Sequence, residues 1–64
     1  MKNNMTLTIV KKDGTTEKHQ GFYLTSDRYA IAIAINVGTW EMPTTQYLYF
    51  ALENILWWQV EMTK

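Results

Sequence analysis

The chain has 64 residues, no cysteine, a single histidine, and six basic side chains balanced by six acidic ones. A chain of this length is one domain, spanning residues 1–64, and it buries only about 60% of the surface its unfolded form exposes. Disulfides are excluded as staples, and one histidine does not build a structural zinc site. Stability must therefore come from dense packing of large side chains or from association with a partner. Three Trp, four Tyr and two Phe supply material for either. Zero net charge disfavours a nucleic-acid partner, because phosphate neutralisation normally requires a basic excess. The opening stretch Met1–Met5 lacks the apolar run of a secretory leader, and no segment approaches the roughly 20 apolar residues of a membrane span. With no cysteine, the expectation is a cytoplasmic protein with no membrane partner.

Taken in chain order, the pattern has period two. In Met5-Thr6-Leu7-Thr8-Ile9-Val10, the residues Met5, Leu7 and Ile9 share one face and the threonines the other. Asp13-Gly14 interrupts the run and predicts a tight hairpin, since both residue types tolerate positive φ. A second strand follows from Thr15 to about Leu24, and Gly21 inside it marks a bulge or a bend. Thr25-Ser26-Asp27-Arg28 reads as a turn, with Ser26 expected to cap backbone groups. The next strand puts Tyr29, Ile31, Ile33 and Ile35 on one face and Ala30, Ala32 and Ala34 on the other. Alanine favours helices, but strict large–small alternation with β-branched residues favours the strand. An all-alanine face implies either close approach by another layer or an outer surface of small residues. Asn36 to Thr45, with Gly38 and Pro43, is a loop carrying Trp40 and Met42. Gln46 to Leu52 is extended, Glu53-Asn54 is a tight or 3₁₀ turn, and Ile55 to Met62 is the last strand, with Leu56, Trp58, Val60 and Met62 on one face. A helix over Gln46–Glu61 is the competing reading, because Leu48, Leu52, Ile55 and Leu56 also fit one helical face. The predicted core is Leu7, Ile9, Phe22, Leu24, Ile31, Ile33, Leu48, Phe50, Leu56, Trp58 and Val60.

These elements predict an all-β fold of five short antiparallel strands, strongly bent into a small barrel whose closure hides its edges. Val10-Lys11-Lys12-Asp13-Gly14, then Gly21, then Asp27 six positions on, resembles the first motif of Sm-like proteins. Tyr49 to Ile55 resembles the tight turn before the last strand of small SH3-like barrels. The resemblance implies a bent five-stranded sheet and rings formed through paired edge strands. It does not carry over an RNA pocket, because Ala30-Ile31 and Leu56-Trp57-Trp58 stand where the family's Asn and Arg-Gly residues would be. The acidic-aromatic loop of peptide-binding SH3 domains is also missing, so proline-rich ligands gain no support.

If Leu48, Phe50, Leu56 and Trp58 fill the core, alternation sends Tyr47, Tyr49 and Trp57 outward together. Exposed Tyr and Trp mark interfaces, so these three are the predicted contact to a second copy of the chain or to another protein. The competing reading buries both faces inside one domain. Trp40 and Met42 offer a ligand or subunit contact, or alternatively a lid over the barrel end. No metal site is expected, because His19 has only Glu17 beside it. No catalytic set is expected either: the carboxylates are scattered, and Ser26, the only serine, has only His19 as a candidate base. With no phosphate-binding glycine loop, no cofactor is expected. The sequence thus predicts a non-enzymatic, self-associating interaction module. Its rivals are a ring binding single-stranded nucleic acid by aromatic stacking and a small-ligand pocket around Trp40 and His19.

Overall fold

The computed structural model describes residues 2–62; Met1 of the opening stretch and residues 63 and 64 lie outside the described residues. It is all-β, with strands β1 (Met5–Lys11), β2 (Thr16–Gly21), β3 (Tyr23–Ser26), β4 (Ala30–Asn36), β5 (Thr45–Ala51) and β6 (Ile55–Met62). A single 3₁₀ turn, Leu52–Asn54, separates β5 from β6, so the competing helix over Gln46–Glu61 does not form. No helix among the described residues is long and apolar enough to cross a membrane.

The strands form two three-stranded antiparallel sheets, ordered β2-β1-β6 and β3-β4-β5. Six strands therefore stand where five were expected, and the hydrogen-bonded ladders do not close into one barrel. The extra strand comes from the second segment, which divides at Gly21-Phe22. There the chain leaves β1 and passes onto β4, and the Phe22 N–H donates to the Ala34 carbonyl at 2.9 Å. A Cβ on Gly21 would lie 2.4 Å from the Ala34 carbonyl oxygen and 2.6 Å from Ile33 Cγ1. Glycine is required here by close approach of the two backbones.

The core lies between the sheets. Leu7 and Ile9 of β1, Ile31 and Ile33 of β4, and Ile55 of β6 are buried, with Leu24, Ile35, Leu48, Phe50, Leu52 and Val60 packed against them. β1 and β4 are the central strands of their sheets, so alternation decides which of their side chains enter this layer. Tyr29, expected in line with the isoleucines, precedes β4 and is exposed.

Three members of the predicted core fall outside it: Phe22 at the sheet switch is part-buried and not among the residues packed on the core, Leu56 is 65% exposed and Trp58 38%. For Leu56 the cause is a bulge, whereas Trp58 pairs with Ile9 and keeps the inward phase with its ring only partly covered. Val10 pairs with Trp57 but Lys11 pairs with Ile55, leaving Leu56 as an extra residue on β6. An inserted residue reverses sidedness along the bulged strand. Ile55 thereby turns inward and Leu56 outward.

The turns differ in detail from expectation. The β1–β2 connection is a three-residue loop, Lys12-Asp13-Gly14, closed by Lys11 N–H donating to the Thr15 carbonyl at 2.8 Å. Only Gly14 has positive φ, at 93°, while Asp13 stays in ordinary backbone space. Asp13 contributes its carboxylate, which accepts from the Thr15 N–H at 2.9 Å and from the Thr15 hydroxyl at 2.6 Å. In the β3–β4 turn, Asp27 does the capping expected of Ser26. Its Oδ1 accepts from Tyr29 N–H at 2.7 Å and Ala30 N–H at 2.9 Å. Asn3 clamps the end of β4: its amide donates to the Asn36 carbonyl at 3.0 Å and accepts from the Asn36 N–H at 2.9 Å.

Candidate functional site

The outer face of the β3-β4-β5 sheet carries the main aromatic surface. The register aligns Tyr23, Ala34 and Tyr47 in one row across the sheet, and Thr25, Ala32 and Tyr49 in the next. The alanines are the central residues of these rows and have no side chain long enough to reach past the rings. Ala32 is 4% and Ala34 1% exposed, whereas Tyr23, Tyr47 and Tyr49 are 57%, 53% and 72% exposed. The result is a face whose exposed surface is supplied by tyrosine rings, with the alanines beneath almost fully covered. Neither expectation for the alanine face is met outright: the alanines lie on the side of the sheet away from the core, yet Ala32 and Ala34 have almost no exposed surface.

Tyr47 and Tyr49 stack along β5 with ring centroids 6.5 Å apart and planes inclined by 30°. A depression of about 80 Å³ lies between Thr25, Ala32 and Tyr49. The outward positions from Tyr23 to Ala51 on these three strands carry no charge, because alternation places only Tyr, Thr, Ala and Asn there. Asp27 lies at the end of the face, and hydrogen bonds from Tyr29 and then Ala30 hold its carboxyl below the usual carboxylate range.

Of the three residues expected to share one surface, the structure brings together Tyr47 and Tyr49 only. Trp57 belongs to the other sheet, where it pairs with Val10. Tyr23 takes the third place, a residue that sequence reasoning passed over. The phase of β3 is set by the sheet switch at Gly21-Phe22, and the Tyr23-Leu24-Thr25 alternation after it was the available signal.

Trp40 and Met42 sit on the β4–β5 connection and are 88% and 75% exposed, so Trp40 does not form a lid. The loop is tied at its base by Val37 N–H donating to the Thr44 carbonyl at 2.9 Å, and at its tip by Met42 N–H donating to the Thr39 hydroxyl at 3.1 Å.

At the opposite end of the β4–β5 hairpin lies a cleft of about 520 Å³. Phe50, Tyr49 and Ala51 form its accessible apolar lining, with Ile9 and Ile55 buried beneath, and Lys12, Asp13 and Asn54 its polar rim. Lys11 also lines it and pairs with Glu17. Glu17 in turn lies 3.0 Å from His19 Nε2. Hydrogen bonding to Lys11, then to His19, holds the Glu17 carboxyl below its ordinary range, and the same Glu17 contact raises the Lys11 ammonium. His19 packs its ring on Phe50 at 5.0 Å between centroids. These three polar side chains are half-buried on the core side of β2 and β1 rather than forming a fully exposed strand pair.

A pocket joining His19 to Trp40 is not built. Phe50, on which His19 rests, is five positions along β5 from the end that bears the Trp40 loop, roughly 16 Å at strand rise. Ser26 and His19 belong to different sheets. No protein-family model matches the chain, and neither the curated proteins nor the solved structures yield a match.

Proposed function

We propose that this protein is a non-catalytic interaction module that self-associates through the tyrosine-walled face of β3-β4-β5. The observation that carries the reading is three half-exposed tyrosines around two alanines that are almost fully buried. Large uncharged rings standing over covered alanines are costly to hydrate and simple to cover. The face is also complementary to itself. Tyrosine rings of one copy can pack against those of another, and a patch that meets its own copy is the requirement for a two-fold contact. Each ring buried there contributes on the order of 2 kcal/mol.

The strand order supports placing the fold among strongly bent, SH3/Sm-like small barrels. Read through the Gly21-Phe22 crossing, the order is β6-β1-β2 continuing into β3-β4-β5, with a 3₁₀ turn before the last strand. Stacking of single-stranded nucleic acid is the weaker reading, because the tyrosine face offers no Lys or Arg to neutralise phosphates.

Light scattering across a concentration series tests the proposal. The native chain is expected above its 7.5 kDa monomer mass, with Tyr23→Thr and Tyr47→Thr each weakening association about tenfold or more. Threonine keeps strand propensity, so the fold is retained. A native chain that scatters as a monomer at millimolar concentration removes the reading. Oligonucleotide binding that weakens steeply with salt would replace it with the stacking alternative.

A further inference from the structure

We infer that the chain carries a second, head-to-tail contact in which Trp40 of one copy inserts into the cleft beside Phe50 of the next. This rests on the self-association reading but shares only Tyr49 and Ala51 with that face and has a different symmetry. Three observations point to a second copy as the occupant.

The first is preorganisation. Trp40 is the most exposed large apolar residue named on the surface, at 88%, yet its loop is hydrogen-bonded at base and tip. A side chain displayed on an ordered loop loses little entropy on docking.

The second is fit. The cleft, at about 520 Å³, lies within the roughly 300–1,000 Å³ of sites that enclose small molecules. Part-buried Phe50 and exposed Tyr49 and Ala51 are its accessible apolar lining, with Ile9 and Ile55 buried beneath, and Lys12 stands at its rim. Glu41 follows Trp40 directly and, like Lys12, forms no ion pair among the described residues. An inserted Trp40 would bring Glu41 to that rim, opposite charge to opposite charge. Asp13 shares the rim, but Thr15 already engages its carboxylate.

The third is position. Loop and cleft sit at opposite ends of the β4–β5 hairpin, about 20 Å apart at strand rise. A chain therefore cannot fill its own cleft, whereas a neighbour can. Each copy offers one knob and one hole, which is a heterologous contact leading to a ring or a filament. The surface covered is small, so the contact belongs with weak interfaces, with an expected Kd of about 10 μM to 1 mM.

Mass measurement with complementary variants tests this. The full-length chain carrying Tyr23→Thr and Tyr47→Thr serves as background, in which the tyrosine face is weakened and Tyr49, which also lines the cleft, is kept. Its mass should rise with concentration. Adding Trp40→Ala should raise Kd at least about thirtyfold, and adding Ala51→Arg, which fills the cleft, should do the same. Both positions are exposed, and retained thermal melts would confirm folding. Mixed one to one, the two variants should recover association but stop at twice the 7.5 kDa monomer mass, since one retains only the hole and the other only the knob. A background chain that stays monomeric at 1 mM overturns the inference. So does a Trp40→Ala variant with an unchanged mass curve, or a mixture that fails to pair. Ala51 shares the outward phase of Tyr49, so the Trp40→Ala arm, which leaves the tyrosine face intact, separates this contact from that face.

Discussion

Replacing Gly21 by alanine tests the sheet switch directly. The added Cβ would lie 2.4 Å from the Ala34 carbonyl oxygen and 2.6 Å from Ile33 Cγ1. The first is a backbone atom and the second belongs to a fully buried side chain, so neither can swing aside. Relief requires β2 to back away from β4. Overpacking of this kind costs about 1–3 kcal/mol. Moving the strand also stretches the bond from Phe22 N–H to the Ala34 carbonyl, now 2.9 Å, for about 1 kcal/mol more. The sum is roughly 2–4 kcal/mol, against a total stability of about 3–10 kcal/mol for a chain of this size. In a domain this small each kcal/mol moves the melting temperature by about 4–8 °C. Gly21→Ala should therefore melt at least about 10 °C below the native chain by circular dichroism. Gly14→Ala is the control. Its site has open space but φ of 93°, so only backbone strain of about 1 kcal/mol applies. Equal melting temperatures for the two variants, or Gly21→Ala within 2 °C of native, would refute the crowding argument.

The bulge on β6 makes neighbouring residues respond oppositely. Ile55→Ala should cost about 2–4 kcal/mol in urea unfolding, and Leu56→Ala within about 0.5 kcal/mol; the reverse order would mean that sidedness on β6 is not shifted. Acid titration should show stability falling as pH drops through the folded pKa values of Asp13, Glu17 and Asp27. All three are held below their ordinary values by hydrogen bonds, so the unfolded chain binds more protons there and stability rises with pH. Asp27→Asn should flatten that slope below about pH 4. Lys11, raised by Glu17, works in the opposite window: its contribution is complete below its unfolded pKa and is lost as pH rises past the folded one. A stability profile flat between pH 2 and 5 would contradict the carboxylate assignments.

The strands of this fold are readable where small or polar residues mark the phase. In β1 and β4, threonines or alanines alternate with large apolar side chains, and both strands and their inward faces follow. The run Ile55-Leu56-Trp57-Trp58 has no polar residue to fix its phase, so an inserted residue leaves no trace in the pattern. That is why Leu56 and Ile55 exchange places. The division of the second strand was announced by Gly21 as a bend. Its consequence, a change of sheet, depends on the approach of β4, which lies beyond local sequence. Tyr47 and Tyr49 were legible as a surface pair by period two. Their partner across the alanines was not, because register between β3 and β5 is set through β4. Trp57 was grouped with them by alternation alone, which says which way a side chain points and not which sheet bears it.

The antiparallel pairing of β1 with β6, from Met5 against Met62 to Lys11 against Ile55, also orders the events of synthesis. While the chain emerges from the ribosome, β1 can acquire β2 early, but its other edge has no neighbour until β6 is released. Leu7 and Ile9 must wait for Ile55 and Val60, almost fifty residues later. Whenever β6 is not yet in place, β1 carries an open strand edge, and that is when the chain is most exposed to misassembly with a second copy.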